Sequence, residues 1–488
     1  MTTDAREAAV LDAVPKGLWI GGKPRDAASG REFRVEDPAT EQTLTRVADG
    51  GAEDAVAALD AACAVQAEWA ATPPRQRGEI LRRAFELITE RVDDLALLMT
   101  LEMGKPVAES RAEVLYAAEF LRWFAEEAVR VDGRFSREPG GSGRLLTMKQ
   151  PVGPCLLITP WNFPLAMGTR KIGPAAAAGC AMVVKPAQLT PLSMLALASL
   201  LAEAGLPDGV LNVVTSTSAS KTVGPLMDDP RLRKVSFTGS TEVGKKLVEQ
   251  SASRLLRLSM ELGGNAPFLV FADADVDKAV EGAVVAKMRN MGESCVAANR
   301  FHVHESVAAE FAERLANKLA AMKVGRGTDP EVKVGPLINA EQQDLVRELL
   351  DDAVGGGARA LVGGGIPDRP GHFVEPTVLV DVPPSARMLR EEIFGPVAPI
   401  VAFSADDEAI AAANDSRFGL VAYVFTESVR RSLRVVESLE TGMVGLNRGL
   451  VSNAAAPFGG VKESGYGREG GYEGIEEYLS TKYVAVDL

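Results

Sequence analysis

Cys155-Leu-Leu-Ile-Thr159, Ala181-Met-Val-Val-Lys185, Leu211-Asn-Val-Val-Thr215 and Lys234-Val-Ser-Phe-Thr238 are short, almost unbroken apolar runs, and a helix-patterned stretch separates each from the next. Runs of this length, without polar alternation, are expected of strands buried on both faces. The intervening stretches supply the covering helices. One runs through Ala178, the next spans Leu192–Ala204 and is stopped by Gly205 and Pro207, a short one reaches Met227, and another covers Thr241–Ser251. Strand and helix in strict alternation predict a parallel α/β sheet, with ligands at the carboxyl ends of its strands.

The same pattern restarts near Gly264, with Phe268-Leu-Val-Phe271, a helix ending near Asn290, and strands at Phe301–Val303, Pro399–Phe403, Leu420–Thr426 and Met443–Leu446. Residues 263–458 are therefore expected to form a second α/β unit. Before the first sheet, Ala52–Ala71, Pro74–Arg91 and Val107–Val131 carry helical patterning, broken at Thr72-Pro-Pro and Gly104-Lys-Pro. Phe135–Gln150, with its Pro139-Gly-Gly-Ser-Gly143 turn, is expected to project as a hairpin that cannot bury both faces alone. The strand-like tail Tyr478–Val486 is expected to extend a sheet across subunits, against a partner's hairpin.

The chain has 488 residues, more than one hydrophobic core accommodates. Its 53 basic and 66 acidic residues give a net charge of −13 with no basic stripe, which argues against nucleic-acid binding. No run of about 18 apolar residues is present, so no membrane span is expected. Four scattered cysteines fit a reducing cytoplasm. Cys63, Cys155 and Cys180 lie in apolar or Ala-rich runs and are assigned to the core. His302 and His304 alternate along a strand without further ligands nearby; they are assigned to the surface, and no metal site is expected.

Three segments carry chemistry. Cys295 ends Met288-Arg-Asn-Met-Gly-Glu-Ser-Cys295, where the chain is neither a smooth strand nor a strong helix; Glu261 stands 34 residues earlier in Met260-Glu-Leu-Gly-Gly-Asn-Ala-Pro-Phe268; Asn162 lies in Thr159-Pro-Trp-Asn-Phe-Pro164. A thiol, a carboxylate and an amide donor are the parts needed to attack a carbonyl carbon, hold its oxyanion and hydrolyse a thioester. Phe237-Thr-Gly-Ser-Thr-Glu-Val-Gly244 follows a strand and opens a helix, so Gly239, Ser240 and Gly244 are candidates to cradle a diphosphate.

Taken together these segments resemble the aldehyde dehydrogenase superfamily, from about Pro15 to the C-terminus. The resemblance implies an α/β fold with a Rossmann-like cofactor domain (1–131 and 152–262), a catalytic domain (263–458) and a small β oligomerisation element (132–151 and 459–488), assembled as a homodimer or homotetramer. It implies cofactor contacts from Thr159, Pro160, Trp161, Lys185, Gln188, Gly239, Ser240, Gly244, Leu262, Glu392 and Phe394. Ser240 would meet the pyrophosphate, Lys185 the adenosine ribose, Glu392 the nicotinamide ribose and Phe394 the nicotinamide. Three departures stand out. Gln188 replaces a frequent Glu that binds the ribose 2′-hydroxyl; a neutral amide removes a repulsion of several kcal/mol against a 2′-phosphate, so NADP is expected, with NAD possible. Ser216 stands where Gly is usual, and Glu293 where Gln is common. As a second carboxylate, Glu293 is expected to oppose thiolate formation modestly.

Within the superfamily the likeness is to succinate-semialdehyde dehydrogenases, in Glu261–Phe268, Ala297-Ala-Asn-Arg300 and Pro457-Phe-Gly-Gly460. It implies that Arg170, Arg289 and Ser452 clamp the carboxylate of a short aldehyde. Glutarate semialdehyde and an aminoaldehyde are the alternatives. Glu261, as hydrolytic base, argues against transfer of the acyl group to coenzyme A.

Overall fold

Five parallel strands form the centre of the first sheet in the computed structural model, which describes residues 3–487. In spatial order they are Leu211–Val213, Met182–Lys185, Cys155–Ile158, Lys234–Thr238 and Arg257–Glu261. Strand order reverses at Cys155–Ile158, whose successor in sequence lies on one side and Lys234–Thr238 on the other. The crevice beyond Ile158 and Thr238 is therefore the topological switch point, where ligands bind in open α/β sheets. The helix Ala166–Ala178 that leaves this crevice is buried at every residue, as an element covered on all sides must be.

A second, seven-stranded sheet has the order Arg359–Val362, Thr377–Val380, Val397–Phe403, Ala298–His304, Ala266–Val270, Val421–Phe425 and Met443–Leu446, parallel except at its first edge. Its core is aromatic. The Phe268 ring lies 4.9 Å from Phe425, 5.1 Å from Phe301 and 5.8 Å from Tyr423, centroid to centroid, within the range of favourable aromatic pairs. The carboxyl ends of the first sheet's strands and the segments that lead into Ala266, Ala298 and Val397 of the second line one cleft.

Several boundaries move. Residues 92–103, left unassigned by pattern, form the helix Val92–Met103, buried at Val92 and from Leu95 onward; a helix buried on nearly all sides has no amphipathic stripe to read. His302 is buried, with its imidazole pushed down to about 3 by desolvation, whereas His304 is partly exposed and accepts a hydrogen bond from Ser306 N as it caps the helix Glu305–Ala320. Cys63 is partly exposed, while Cys155 and Cys180 are buried.

The largest difference concerns the tail. Leu479–Val486 pairs antiparallel with Arg144–Pro151 of its own chain, from Leu479 opposite Pro151 to Val486 opposite Arg144, and Arg134–Arg137 completes a three-stranded sheet. Residues 459–478 do not belong to that projection. Gly465–Tyr466 forms the last strand of the first sheet, against Met260 and Glu261, and Ser464 Oγ donates to Gly263 O at 2.7 Å. Among the described residues, no helix is long and apolar enough to cross a membrane.

Gly465 has φ +107°, and a Cβ there would stand 1.9 Å from Met260 O. Gly465→Ala should cost more than about 1 kcal/mol and part the tail from the strand bearing Glu261. Thermal-inactivation half-lives should shorten and turnover should fall; an unchanged half-life would show that the tail adapts freely.

Candidate active site

The helix Val276–Met288 ends where Asn290 and Met291 turn left-handed, at φ 55° and 53°, followed by Gly292 at φ 80°. Such conformations cost a non-glycine residue on the order of 1–3 kcal/mol and persist only when the surroundings enforce them. Here Asn290 N donates to the Glu109 carboxylate, Asn290 Nδ2 donates to Glu293 O at 2.8 Å and to Asn162 O at 3.0 Å, and Glu293 N donates to Asn290 O at 2.8 Å. Gly292 admits no side chain, since a Cβ would lie 2.2 Å from Gly395 O. Beyond the turn, Tyr423 Oη donates to Val296 O at 2.8 Å. Cys295 is thereby fixed between anchored residues on both sides.

Asn162 meets it from the other sheet. Its Nδ2 donates to Glu293 O at 3.0 Å, and its own carbonyl accepts from Lys105 Nζ at 2.7 Å. Lys105 is ion-paired with Glu113 at 2.5 Å, both buried, and Glu113 Oε1 accepts from Leu165 N and Ala166 N at the start of the Ala166–Ala178 helix. An amide nitrogen carries two protons, so one N–H of Asn162 remains for the cavity that the residue lines.

That cavity, about 250 Å³, is bounded by Cys295, Asn162, Arg170, Arg289, Ser452, Tyr116, Phe163 and Phe458 at one end, and by Pro160, Trp161, Thr238, Gly239, Ser240, Leu262, Glu392 and Phe394 at the other. Burial pushes the Cys295 thiol up to about 12, against the pull of Arg170 and with the help of Glu392 and Glu261. Glu261 lies just behind the wall. It is 2% exposed, neither carboxyl oxygen has a hydrogen-bond partner, and burial, followed by the charge of Glu469, raises it well above the usual carboxylate range. Burial would also raise Glu469, but Lys171 and Arg170 pull it down to about 2. Two cations and two carboxyls thus form one dry cluster.

The three expected clamp residues all line the cavity, and they are not equivalent. Arg289 Nη1 donates to Ser452 Oγ at 3.0 Å, and its guanidinium lies 4.9 Å from the Phe163 ring centroid. Arg170 is fully buried, 2.6 Å from Glu469 and stacked 4.1 Å from the Phe458 centroid. Its charge is already balanced within the protein.

Cofactor-type residues also divide. Ser240 caps the helix Thr241–Ser251 by accepting from Val243 N at 3.4 Å, and Thr159 Oγ1 and Thr238 Oγ1 are buried without partners at the ends of adjacent strands. Glu392 Oε1 accepts from Gly264 N at 3.3 Å, and burial raises its carboxyl to about 7. Phe394, at φ 50°, meets the Trp161 ring edge-on at 5.4 Å and is held by Gln342 Nε2, 3.0 Å from its carbonyl. A helix N-terminus, orphaned hydroxyls and an aromatic pair suit a phosphate-bearing, ring-bearing group.

Lys185, buried and pushed down to about 8 by desolvation, lies outside this cavity; so does Gln188, which is exposed and lines a separate cavity with Arg34 and Thr217. Gly244 is a packing requirement, because a Cβ there would come within 2.5 Å of Leu262. Ser216 Oγ donates to Gly50 O at 2.7 Å, so its hydroxyl ties two loops together. Glu293 does not oppose the thiol as expected: its Oε1 accepts from Ile338 N at 3.0 Å in a dry site, and burial keeps the group protonated far above the usual range. Lys105, Glu113, Glu109, Gln342 and Glu469 escaped sequence reasoning, since a charged or polar residue within a helix or loop reads as solvated surface.

Fold and cleft place a half-buried thiol, an amide donor and two guanidinium groups around one cavity at the switch point of an α/β sheet. Residues 25–484 match the model of the aldehyde dehydrogenase family, and the chain belongs to that family. It is 61% identical to a succinate-semialdehyde dehydrogenase of Paenarthrobacter nicotinovorans, across 91% of this chain and 98% of that protein. It is 49% identical to a glutarate-semialdehyde dehydrogenase of Pseudomonas putida, across 96% and 97%. Among solved structures, an NADP-dependent enzyme of Escherichia coli superposes with a TM-score of 0.96 at 49% identity, covering 98% of this chain and 99% of that one.

With the thiol raised by burial, alkylation of Cys295 by iodoacetamide in the cofactor-free protein should climb about tenfold per pH unit from neutrality to beyond pH 10, following the thiolate fraction. Peptide mass spectrometry separates it from the partly exposed Cys63. A plateau near pH 8.5 would mean that the thiol is not desolvated.

Proposed function

We propose that the enzyme oxidises succinate semialdehyde to succinate with NADP, consuming one water and releasing NADPH and two protons. The observation that carries this is the Arg289–Ser452 contact within the same small, aromatic-walled cavity as Cys295. A guanidinium without an acidic partner recognises a carboxylate, and one donor pair at the far end of a 250 Å³ space fits a short ω-carboxy aldehyde. The succinate-semialdehyde relative supports the four-carbon substrate. The Pseudomonas relative supports the five-carbon glutarate semialdehyde as the second reading.

In this account the Cys295 thiol passes its proton to the Glu261 carboxylate, which releases it to solvent, as sulfur bonds to the aldehyde carbon. The oxyanion accepts hydrogen bonds from Asn162 Nδ2 and Cys295 N; losing one such donor typically costs about 3–4 kcal/mol. NADP, held at Ser240, Glu392 and Phe394, supplies the hydride acceptor when bound. The C–H bond breaks and a thioester remains on Cys295. Glu261 then takes a proton from water, which attacks the acyl carbon, and hands it to the departing sulfur; the thiol is restored and the product acid releases the second proton to solvent. Burial and Glu469 keep Glu261 basic enough for that task.

The three-stranded sheet, with Phe135 64% and Tyr483 59% exposed and two unpaired outer edges, supports assembly as a homodimer or homotetramer. Four unpaired thiols support a reducing, cytoplasmic setting.

Initial rates with succinate semialdehyde, glutarate semialdehyde and butanal, each with NADP and NAD, test the reading. The ω-carboxy aldehydes should lead, with succinate semialdehyde first and NADP preferred; butanal oxidised as efficiently would refute a carboxylate-specific enzyme. Gln188→Glu should shift preference toward NAD by restoring a carboxylate near the ribose. An unchanged NADP/NAD ratio would remove Gln188 from cofactor choice.

A further inference from the structure

Tyr116 projects from the helix Val107–Glu127, the helix that also supplies Glu109 and Glu113 to the two catalytic loops. It lines the Cys295 cavity, and its hydroxyl is buried with no hydrogen-bond partner. Buried tyrosine hydroxyls are nearly always paired, because an unpaired one forfeits its hydration. The ring packs edge-on against Phe120 at 4.8 Å, and the Arg289 guanidinium lies 5.7 Å from its centroid. Arg170 Nη2 is likewise buried and unpartnered. The hydroxyl thus belongs to a group of donors at one end of the cavity that lacks an acceptor.

The charges say which acceptor is missing. Arg170 is neutralised by Glu469, whereas Arg289 has no acidic partner among the described residues and its one side-chain bond is to the neutral Ser452. A guanidinium without a paired carboxylate therefore faces the space that Tyr116 borders. A carboxylate offers two oxygens, and Arg289 with Ser452 bind one side of it.

We infer that Tyr116 is a specificity-determining residue, its hydroxyl donating to the carboxylate of the aldehyde that Arg289 and Ser452 hold. This rests on the proposed ω-carboxy aldehyde substrate. The phenol is not an electrophile or base in the reaction; it binds the end of the substrate remote from the reacting carbon. Its contribution is therefore the same in ground and transition states and falls on KM rather than kcat. The residue also excludes shapes. A ring braced by Phe120 cannot retreat, so a neutral aldehyde entering the cavity leaves the hydroxyl and Arg289 unpaired, which selects against it.

Tyr116→Phe keeps the ring, its packing on Phe120 and its contact with Arg289, and deletes only the donor. A lost hydrogen bond to a charged group corresponds to roughly 10- to 100-fold. Steady-state kinetics should show kcat/KM for succinate semialdehyde falling by that factor relative to any loss on butanal, through KM, with the NADP dissociation constant unmoved. If the variant loses equally on both aldehydes, or loses nothing on succinate semialdehyde, the inference is overturned while the parent's preference for the acid aldehyde stands. If the parent enzyme shows no such preference, the proposed function fails and takes this inference with it.

Discussion

The hydrogen bond from Asn162 Nδ2 to the carbonyl of Glu293, 3.0 Å long, ties the loop after the central strand of one sheet to the turn that presents Cys295 from the other. Everything the cleft does depends on that distance. Oxyanion stabilisation is a matter of preorganised donors, and a donor displaced by an ångström forfeits most of its effect. The bond alone is too weak to hold two domains in register. Its rigidity comes from Lys105 and Asn290, which both donate to the Asn162 carbonyl, and from Glu113 and Glu109, which hold those loops from one helix. A buried ion pair such as Lys105–Glu113 contributes little net stability, but breaking it is costly. That asymmetry makes it a good locator.

A second dry cluster answers a different need. In the proposed reaction both removal of the thiol proton and thioester hydrolysis at neutral pH call for a base of raised pKa. Glu261 lies among Arg170, Lys171 and Glu469, where the cations serve Glu469 first and leave Glu261 desolvated. The chain's last forty residues are essential to this, because Glu469 and Gly465 return to the first sheet and close the site from behind. The tail packs against the first sheet and the Ala166–Ala178 helix through Ser464, Gly465 and Glu469, and joins the projecting sheet from Leu479 onward.

Much of this was legible in the chain. Continuous apolar runs such as Ala181–Lys185 announce buried parallel strands, and the alternation with helices sets both sheets. Cys295, Glu261 and Asn162 stand out because each breaks its local pattern. Lys105, Glu113 and Glu469 do not: a charge becomes a structural group only when another segment folds over it, and Glu469 meets Arg170 across roughly three hundred residues. The helix Val92–Met103 was invisible for the opposite reason, being buried on all sides from Leu95 onward and so without an apolar stripe. Gly244 was read as a cofactor residue and Glu293 as a modest opponent of the thiolate; the first is close-packed against the Leu262 side chain and the second accepts from a backbone N–H.

In the proposed reaction one half-buried thiol carries the acyl group and one buried carboxyl releases it. Mixing Glu261→Gln enzyme with NADP and succinate semialdehyde, then measuring NADPH in the first turnover and the mass of the Cys295 peptide, examines both halves together. The account predicts a burst of about one NADPH per site followed by arrest, with the peptide heavier by one succinyl group. Sustained turnover near the parent rate, or a burst that leaves Cys295 unmodified, would contradict it.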